Sequence, residues 1–190
     1  MDGRGRSPSS TSIARLAVAR LHEAEAQEEV ISIGQAAVKI GFTGSREGMT
    51  IDRWAKFGYE LGIHGKFTSS ADNSPLDWHD GDCLGADSQA HTTLERIKRM
   101  GFPVTLQGHP CNLSKQRAYN EFDITYPVHP PLVRNRHIVD AVELMFAAPK
   151  EYTEVMRGSG TWATIRYARL KKKPMVLVWP DGSATHERMS

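Results

Sequence analysis

The chain has 190 residues, with 24 Lys and Arg against 22 Asp and Glu and a net charge of +2. This length suffices for one domain with a sizeable core, and the balanced charge disfavours a protein that covers nucleic acid with a basic surface. Two cysteines, Cys83 and Cys111, are too few for a disulfide framework and are typical of a reducing compartment. Because no apolar run approaches the roughly 18 residues of a membrane helix and residues 1–12 lack an apolar signal core, we expect a cytoplasmic protein without a membrane partner.

Residues 1–36 are expected to lie outside the folded domain. Gly, Ser, Pro and Arg dominate residues 1–11, and this composition buries too little apolar surface to offset the cost of ordering. Ser12 is a suitable N-cap for a helix over 12–29, with Ile13, Leu16 and Leu21 near one face. We interpret residues 1–36 as a disordered tail followed by a helical appendage that packs on the domain or on a partner.

Strands and helices alternate from residue 37 onwards. Strands are predicted at 37–43, 75–80, 103–107, 143–148 and 174–179, and helices at 50–61, 84–99, 132–141 and 160–171. The proline-containing segment 108–131 is predicted to be irregular, and residues 183–190 to be a C-terminal tail. The alternation predicts an α/β, Rossmann-like domain over 37–182, in which helices cover both faces of a parallel sheet. Ligands of such sheets bind outside the carboxyl ends of the strands.

Three turns of small residues fall at predicted carboxyl ends of strands. The residues of interest in these turns are Gly44, Ser45, Arg46, Gly81, Gly85, Asp87, Ser159, Gly160 and Thr161. Glycine permits close approach of the backbone, and free amide groups at a turn or at a helix N-terminus favour anions. We therefore predict a nucleotide-phosphate pocket, in which unpaired amides of several neighbouring loops converge on the anion.

Other polar residues add to this prediction. Arg134 and Asn135 begin a predicted helix, where an arginine opposes the helix dipole and so favours an anionic partner. Asp87 either accepts hydrogen bonds from ribose hydroxyls or complements the dipole of its own helix, and it is the candidate catalytic residue if the protein is an enzyme. The eight histidines include no pair at i, i+4 and no His/Cys cluster beyond His109-Pro110-Cys111, so we predict no metal site. We expect no cofactor either.

Four short motifs, taken in order, carry a resemblance over about residues 37–180. Gly44-Ser45-Arg46, Gly85-Ala86-Asp87, Arg134-Asn135-Arg136 and Ser159-Gly160-Thr161 together resemble the SLOG superfamily. This superfamily includes the Rossmann-like domain of DNA-processing protein A and the "lonely guy" cytokinin-activating phosphoribohydrolases. The resemblance implies that the chain binds a nucleotide or nucleotide-derived ligand over the strand ends, as a sensor or binder, and that it self-associates as members commonly do.

One departure from the family pattern bears on catalysis. The phosphoribohydrolases carry Gly-Gly-x-Gly-Thr-x-x-Glu, and alignment on Gly160-Thr161 places Thr164 where that glutamate stands. A hydroxyl does not supply carboxylate chemistry at neutral pH. An N-glycosidase acting on nucleoside 5′-monophosphates therefore needs a replacement carboxylate, for which Asp87, Asp140 and Glu143 are candidates.

Three functions stay open at this stage, and the sequence does not decide whether the protein is an enzyme. The leading hypothesis is a nucleotide binder, and the second is the N-glycosidase. The third is a binder of single-stranded DNA, like DNA-processing protein A. It would rely on a local patch formed by Arg46, Arg134, Arg136 and Arg166.

Overall fold

The structure, a computed structural model, describes residues 36–66 and 74–188; the predicted tail over 1–11 and helix over 12–29 lie outside these ranges. The described elements are β1 (Val38–Gly44), α1 (Ile51–His64), β2 (Leu76–Asp80), α2 (Ala86–Arg99), β3 (Val104–Gly108), a 3₁₀ turn (Ser114–Gln116), β4 (Ile124–Thr125), α3 (Pro131–Ala141), β5 (Leu144–Ala148), α4 (Gly160–Leu170), β6 (Met175–Val178) and β7 (Ala184–Glu187). None of these described helices is long and apolar enough to cross a membrane.

The seven described strands form one sheet in the order β4-β3-β2-β1-β5-β6-β7. Neighbouring strands are parallel except at the edge, where β7 runs antiparallel to β6. β1 lies between β2 and β5, so the chain adds strands first on one side of β1 and then on the other. This arrangement confirms the predicted Rossmann-like α/β fold and creates a topological switch point between β1 and β5.

Apolar side chains alternate between two cores, one on each face of the sheet. Ile40 and Phe42 of β1 pack with residues of α1 and α2, whereas Met145 and Ala147 of β5 pack with residues of α3 and α4. Burying a side chain such as Ile or Phe stabilises the fold by about 1.5–3 kcal/mol. Gly41 faces the second core, where a Cβ atom would lie 2.6 Å from Met145 Sδ and 2.9 Å from Ile138 Cγ2. The missing side chain therefore lets α3 and the Met145 side chain pack closely against β1.

The predicted elements agree with the observed ones within three residues at each end. Two strands differ from the sequence analysis. β7 lies in the segment 183–190 that the sequence assigned to a tail; it carries the mixed sequence Ala-Thr-His-Glu at the sheet edge, without the apolar alternation that marks a half-buried strand. β4 has two exposed residues that extend the sheet beside β3, inside the segment predicted to be irregular.

Candidate functional site

A cavity of about 430 Å³ lies at the switch point, where the segments that follow β1 and β5 meet the N-terminal turns of α3 and α4. Nine of the eleven predicted ligand-binding residues line it: Gly44, Ser45, Arg46, Asp87, Arg134, Asn135, Ser159, Gly160 and Thr161. The wall also includes Cys83, Lys150 and Glu151, which sequence reasoning did not select. Lys150 and Glu151 follow β5, and only the strand order, which places β5 beside β1, brings them opposite the β1 turn.

The N-terminus of α4 presents free backbone donors to this cavity. Ser159 caps the helix, since its Oγ accepts from the Trp162 amide at 3.2 Å and its carbonyl accepts from the Ala163 amide at 3.1 Å. Among the residues that the structure describes, the amides of Gly160 and Thr161 have no hydrogen-bond acceptor. Such unpaired donors at a helix N-terminus are suited to an anion.

The side chain of Thr161 serves a different purpose from its amide. Its hydroxyl donates to the Gly44 carbonyl oxygen at 2.9 Å, which fixes the start of α4 against the end of β1. A Cβ atom built on Gly160 would meet nothing within 4 Å. The helix start is therefore hydrogen-bonded to the end of β1, while the space beside Gly160 is open.

The turn after β1 corrects one part of the sequence analysis. The Gly44 amide donates to Asp87 Oδ1 at 3.1 Å, and the Ser45 amide donates to the Ala148 carbonyl at 3.0 Å. Ser45 Oγ accepts from the Glu47 amide at 3.1 Å. The Gly44 and Ser45 amides therefore already bond within the protein and are not free to bind an anion, contrary to the expectation for these two residues.

Gly81 and Gly85 lie outside the cavity lining and shape it instead. Gly85 has φ +85°, and a Cβ atom there would lie 2.3 Å from the Arg46 carbonyl oxygen. A Cβ atom on Gly81 would lie 1.2 Å from Arg134 Nη1. These two glycines therefore allow the β1 turn and the Arg134 guanidinium to occupy their positions.

A buried arginine connects the cavity to a carboxylate and a thiol. Arg134 is 4% exposed; its Nη2 donates to Cys83 Sγ at 3.1 Å, and its Nη1 lies 4.0 Å from Asp87 Oδ2. Within the described part of the chain, the buried Nε of Arg134 has no hydrogen-bond partner. A buried donor that lacks a partner is costly, so this guanidinium favours an additional acceptor.

Burial controls the protonation of the two groups beside Arg134. Burial raises the pKa of Asp87 to about 7, against the opposing effect of the Arg134 charge. Burial likewise raises the pKa of the Cys83 thiol to about 12, so this sulfur is not a thiolate at neutral pH. The pKa of Asp87 therefore suits proton transfer near neutrality.

Thr164 and Asn135 support the first turn of α4. Asn135 Nδ2 donates to Thr164 Oγ1 at 2.6 Å, and Thr164 Oγ1 donates to the Gly160 carbonyl at 2.9 Å. The Thr164 side chain is therefore buried, and its hydroxyl both accepts and donates a hydrogen bond. Arg136, in contrast to Arg134, is exposed and lies over the Tyr167 ring at 5.5 Å.

The fold and the cavity together define an α/β protein of Rossmann-like architecture with a candidate ligand site at the switch point. No protein-family model matches the sequence, and no curated protein matches it. Two solved structures are similar in fold. The molybdenum cofactor binding protein from the phototrophic bacterium Rippkaea orientalis is 16% identical with a TM-score of 0.49, over 75% of this chain and 76% of that one. The structural-genomics target TM1055 is 13% identical with a TM-score of 0.44, over 73% and 72% of the two chains. Neither likeness bears on what the cavity binds.

Proposed function

We propose that this protein binds a nucleotide or nucleotide-derived ligand in the switch-point cavity and acts as a sensor or binder, as the SLOG resemblance implies. One observation carries the proposal: the unpaired Gly160 and Thr161 amides open onto the same cavity as Arg134, whose buried Nε lacks a partner in the described chain. Free helix N-terminal amides and a guanidinium are complementary to a phosphate group.

The size and charge of the cavity favour a small ligand over a polymer. A volume of about 430 Å³ lies within the range of about 300–1,000 Å³ that is common for small-molecule sites. Its wall carries three cations, Arg46, Arg134 and Lys150, against three acidic residues, Glu47, Asp87 and Glu151. Acidic groups accept hydrogen bonds from sugar hydroxyls or base amines but repel a continuous phosphate backbone, so a mononucleotide fits better than single-stranded DNA.

Calorimetric titration of the full chain tests the proposal. The panel comprises nucleoside monophosphates, cyclic nucleotides, inorganic phosphate and a single-stranded oligonucleotide. We expect at least one mononucleotide to bind, and we expect Gly160→Val to weaken that binding by more than about tenfold, because the new side chain blocks approach to the amides. Silence across the panel would refute the proposal, and salt-dependent binding of the oligonucleotide alone would favour the DNA hypothesis.

Gly58→Ala provides a control outside the cavity for this substitution. Gly58 lies on α1, does not line the cavity, and like Gly160 has nothing within 4 Å of a built Cβ atom. The control should bind the nucleotide as the wild type does. Equal affinity of wild type and Gly160→Val would remove the α4 N-terminus from the site.

A second candidate function rests on Asp87. Of the carboxylates considered as replacements for the missing glutamate, Asp87 lines the cavity, whereas Asp140 and Glu143 do not. A buried carboxyl group with a pKa of about 7 is suited to general acid–base catalysis, so an N-glycosidase acting on nucleoside 5′-monophosphates is the alternative. Release of free base by the wild type, abolished in Asp87→Asn, would support it; binding without base release would leave the protein a binder.

A further inference from the structure

The end of α1 and the edge strand β7 bring a carboxylate and two imidazoles together. Glu60 and His64 are four residues apart and therefore lie on one face of the helix. His186 comes from β7, where it pairs with Val176 of β6. Glu60 Oε2 lies 2.8 Å from His186 Nε2 and 3.8 Å from His64 Nε2. None of the three residues lines the switch-point cavity.

We propose that Glu60, His64 and His186 bind a divalent transition-metal ion such as Zn²⁺. One candidate ligand atom from each residue lies within 4.8 Å of the other two. Ligand atoms at about 2.0–2.1 Å from a tetrahedral ion are about 3.3 Å apart, so the observed separations of 2.8 and 3.8 Å bracket the required one. Two imidazole nitrogens and one carboxylate oxygen form a ligand set that Zn²⁺, Co²⁺ and Ni²⁺ accept.

The surroundings of the three side chains suit a site with one open position. Glu60 is 2% exposed, and Lys56 Nζ holds its Oε1 at 2.7 Å, which leaves Oε2 toward the imidazoles. The side chains of His64 and His186 are 33% and 49% exposed, so they are free to adjust to an ion and to admit a water molecule as the fourth ligand. Lys56 acts from outside the ligand set, where a hydrogen bond to a ligating carboxylate fixes its orientation.

A bound ion would join the last turn of α1 to the strand at the sheet edge. Glu60 and His186 are 126 positions apart in the sequence. Only the fold brings β7 beside α1, which explains why no metal site was predicted from the sequence. In the absence of an ion, the Glu60–His186 hydrogen bond links the same two elements. The competing explanation is therefore that the three side chains form only a hydrogen-bonded network. An experiment must distinguish this network from a metal site.

Titration of the chelator-treated full chain with Co²⁺ distinguishes a metal site from a hydrogen-bonded network. We expect one Co²⁺ per chain with the visible absorption of a tetrahedral site, displaced by Zn²⁺, and a rise in Tm on addition of Zn²⁺. His64→Asn and His186→Asn should each weaken Co²⁺ binding by at least about tenfold. The control, His137→Asn, removes an exposed imidazole whose ring lies 4.6 Å from that of His129 and should leave the affinity unchanged.

Two results would overturn the proposal. The first is a featureless titration without saturation, and the second is an equal loss of binding in His137→Asn, which indicates adventitious surface binding. If a ligand variant does not fold, nitrogen NMR of the wild-type histidine rings decides the question. Zn²⁺ should then shift the ring nitrogens of His64 and His186 selectively, and shifts confined to other histidines would contradict the assignment.

Discussion

Lowering the pH from about 7 to about 5.5 should destabilise the fold through a buried pair of imidazoles. His79 Nδ1 and His109 Nε2 lie 2.9 Å apart, both residues are 3% exposed, and the Tyr126 ring stacks on His109 at 4.3 Å. One ring must donate and the other accept in this contact, so protonation of the acceptor breaks it. Burial lowers the pKa of His79 to about 4 and that of His109 to about 3.

The sign and size of the effect follow from proton binding in the two states. The unfolded chain takes up protons below its histidine pKa of about 6.5, whereas the folded pair stays neutral until the lower folded values are reached. Stability is therefore lost as the pH falls through this window. Between about pH 7 and about pH 5.5 each histidine contributes about 1.2 kcal/mol, so the pair contributes about 2.5 kcal/mol. This is a large part of a typical total stability of about 5–15 kcal/mol.

Urea unfolding measures the contribution of the histidine pair. It is carried out at both pH values for the wild type and for a variant carrying His79→Gln and His109→Gln. The free energy of unfolding should fall by about 2.5 kcal/mol more in the wild type than in the variant. Comparison with the variant cancels other titrating groups, including Asp87, whose raised pKa acts in the opposite direction. An identical fall in both proteins would refute the argument that the pair is buried and neutral.

Three further predictions concern stability and the cavity. Gly58 and Gly62 lie in the interior of α1, and a new Cβ atom at either would meet nothing within 4 Å. Replacing either glycine by alanine should therefore raise the free energy of unfolding, measured in urea, by about 0.5–1 kcal/mol. Destabilisation by either substitution would contradict this. Gly81→Ala should displace the Arg134 guanidinium, which should lower Tm and weaken any nucleotide binding measured by calorimetry. An unchanged Tm and an unchanged affinity would show that Arg134 can move freely. The buried Arg53 side chain donates hydrogen bonds to the carbonyls of residues 149 and 178. Arg53→Met should therefore lower the free energy of unfolding, measured with a denaturant, by at least about 3 kcal/mol. A decrease of less than about 1 kcal/mol would contradict this prediction.

Periodicity predicted the elements of the sheet because each face of this fold is covered by helices. In the sequence the strands appear as continuous apolar runs, and the helices as apolar residues spaced three or four positions apart. Both signals are local. The edge strand β7 gave no such signal, since two of its four side chains, Thr185 and His186, are exposed and its pairing with β6 is decided by tertiary structure. The strand order is not a local property either, so the position of the switch point between β1 and β5 had to come from the structure.

The candidate site was predictable as a set of residues but not as a set of contacts. Turn chemistry selected residues that line the cavity, since small residues and helix starts are visible in sequence. Which amides stay free was not visible, because the Gly44 amide is taken by Asp87 of α2 and the Ser45 amide by a carbonyl of β5. Both partners lie distant in the chain, so sequence overestimated the number of donors available to an anion.

The glycines of the site fall into two physical classes, and this division decides which substitutions test the proposed function. At Gly85 a side chain would clash with the backbone of the β1 turn, and the positive φ of this residue disfavours any side chain. Substitution there distorts the turn whether or not a ligand binds. At Gly160 a side chain enters open space, so substitution changes the cavity and leaves the fold intact. Lost binding in Gly85→Ala would therefore be compatible with any function. Lost binding in Gly160→Val with an unchanged Tm requires that a ligand approach the α4 amides.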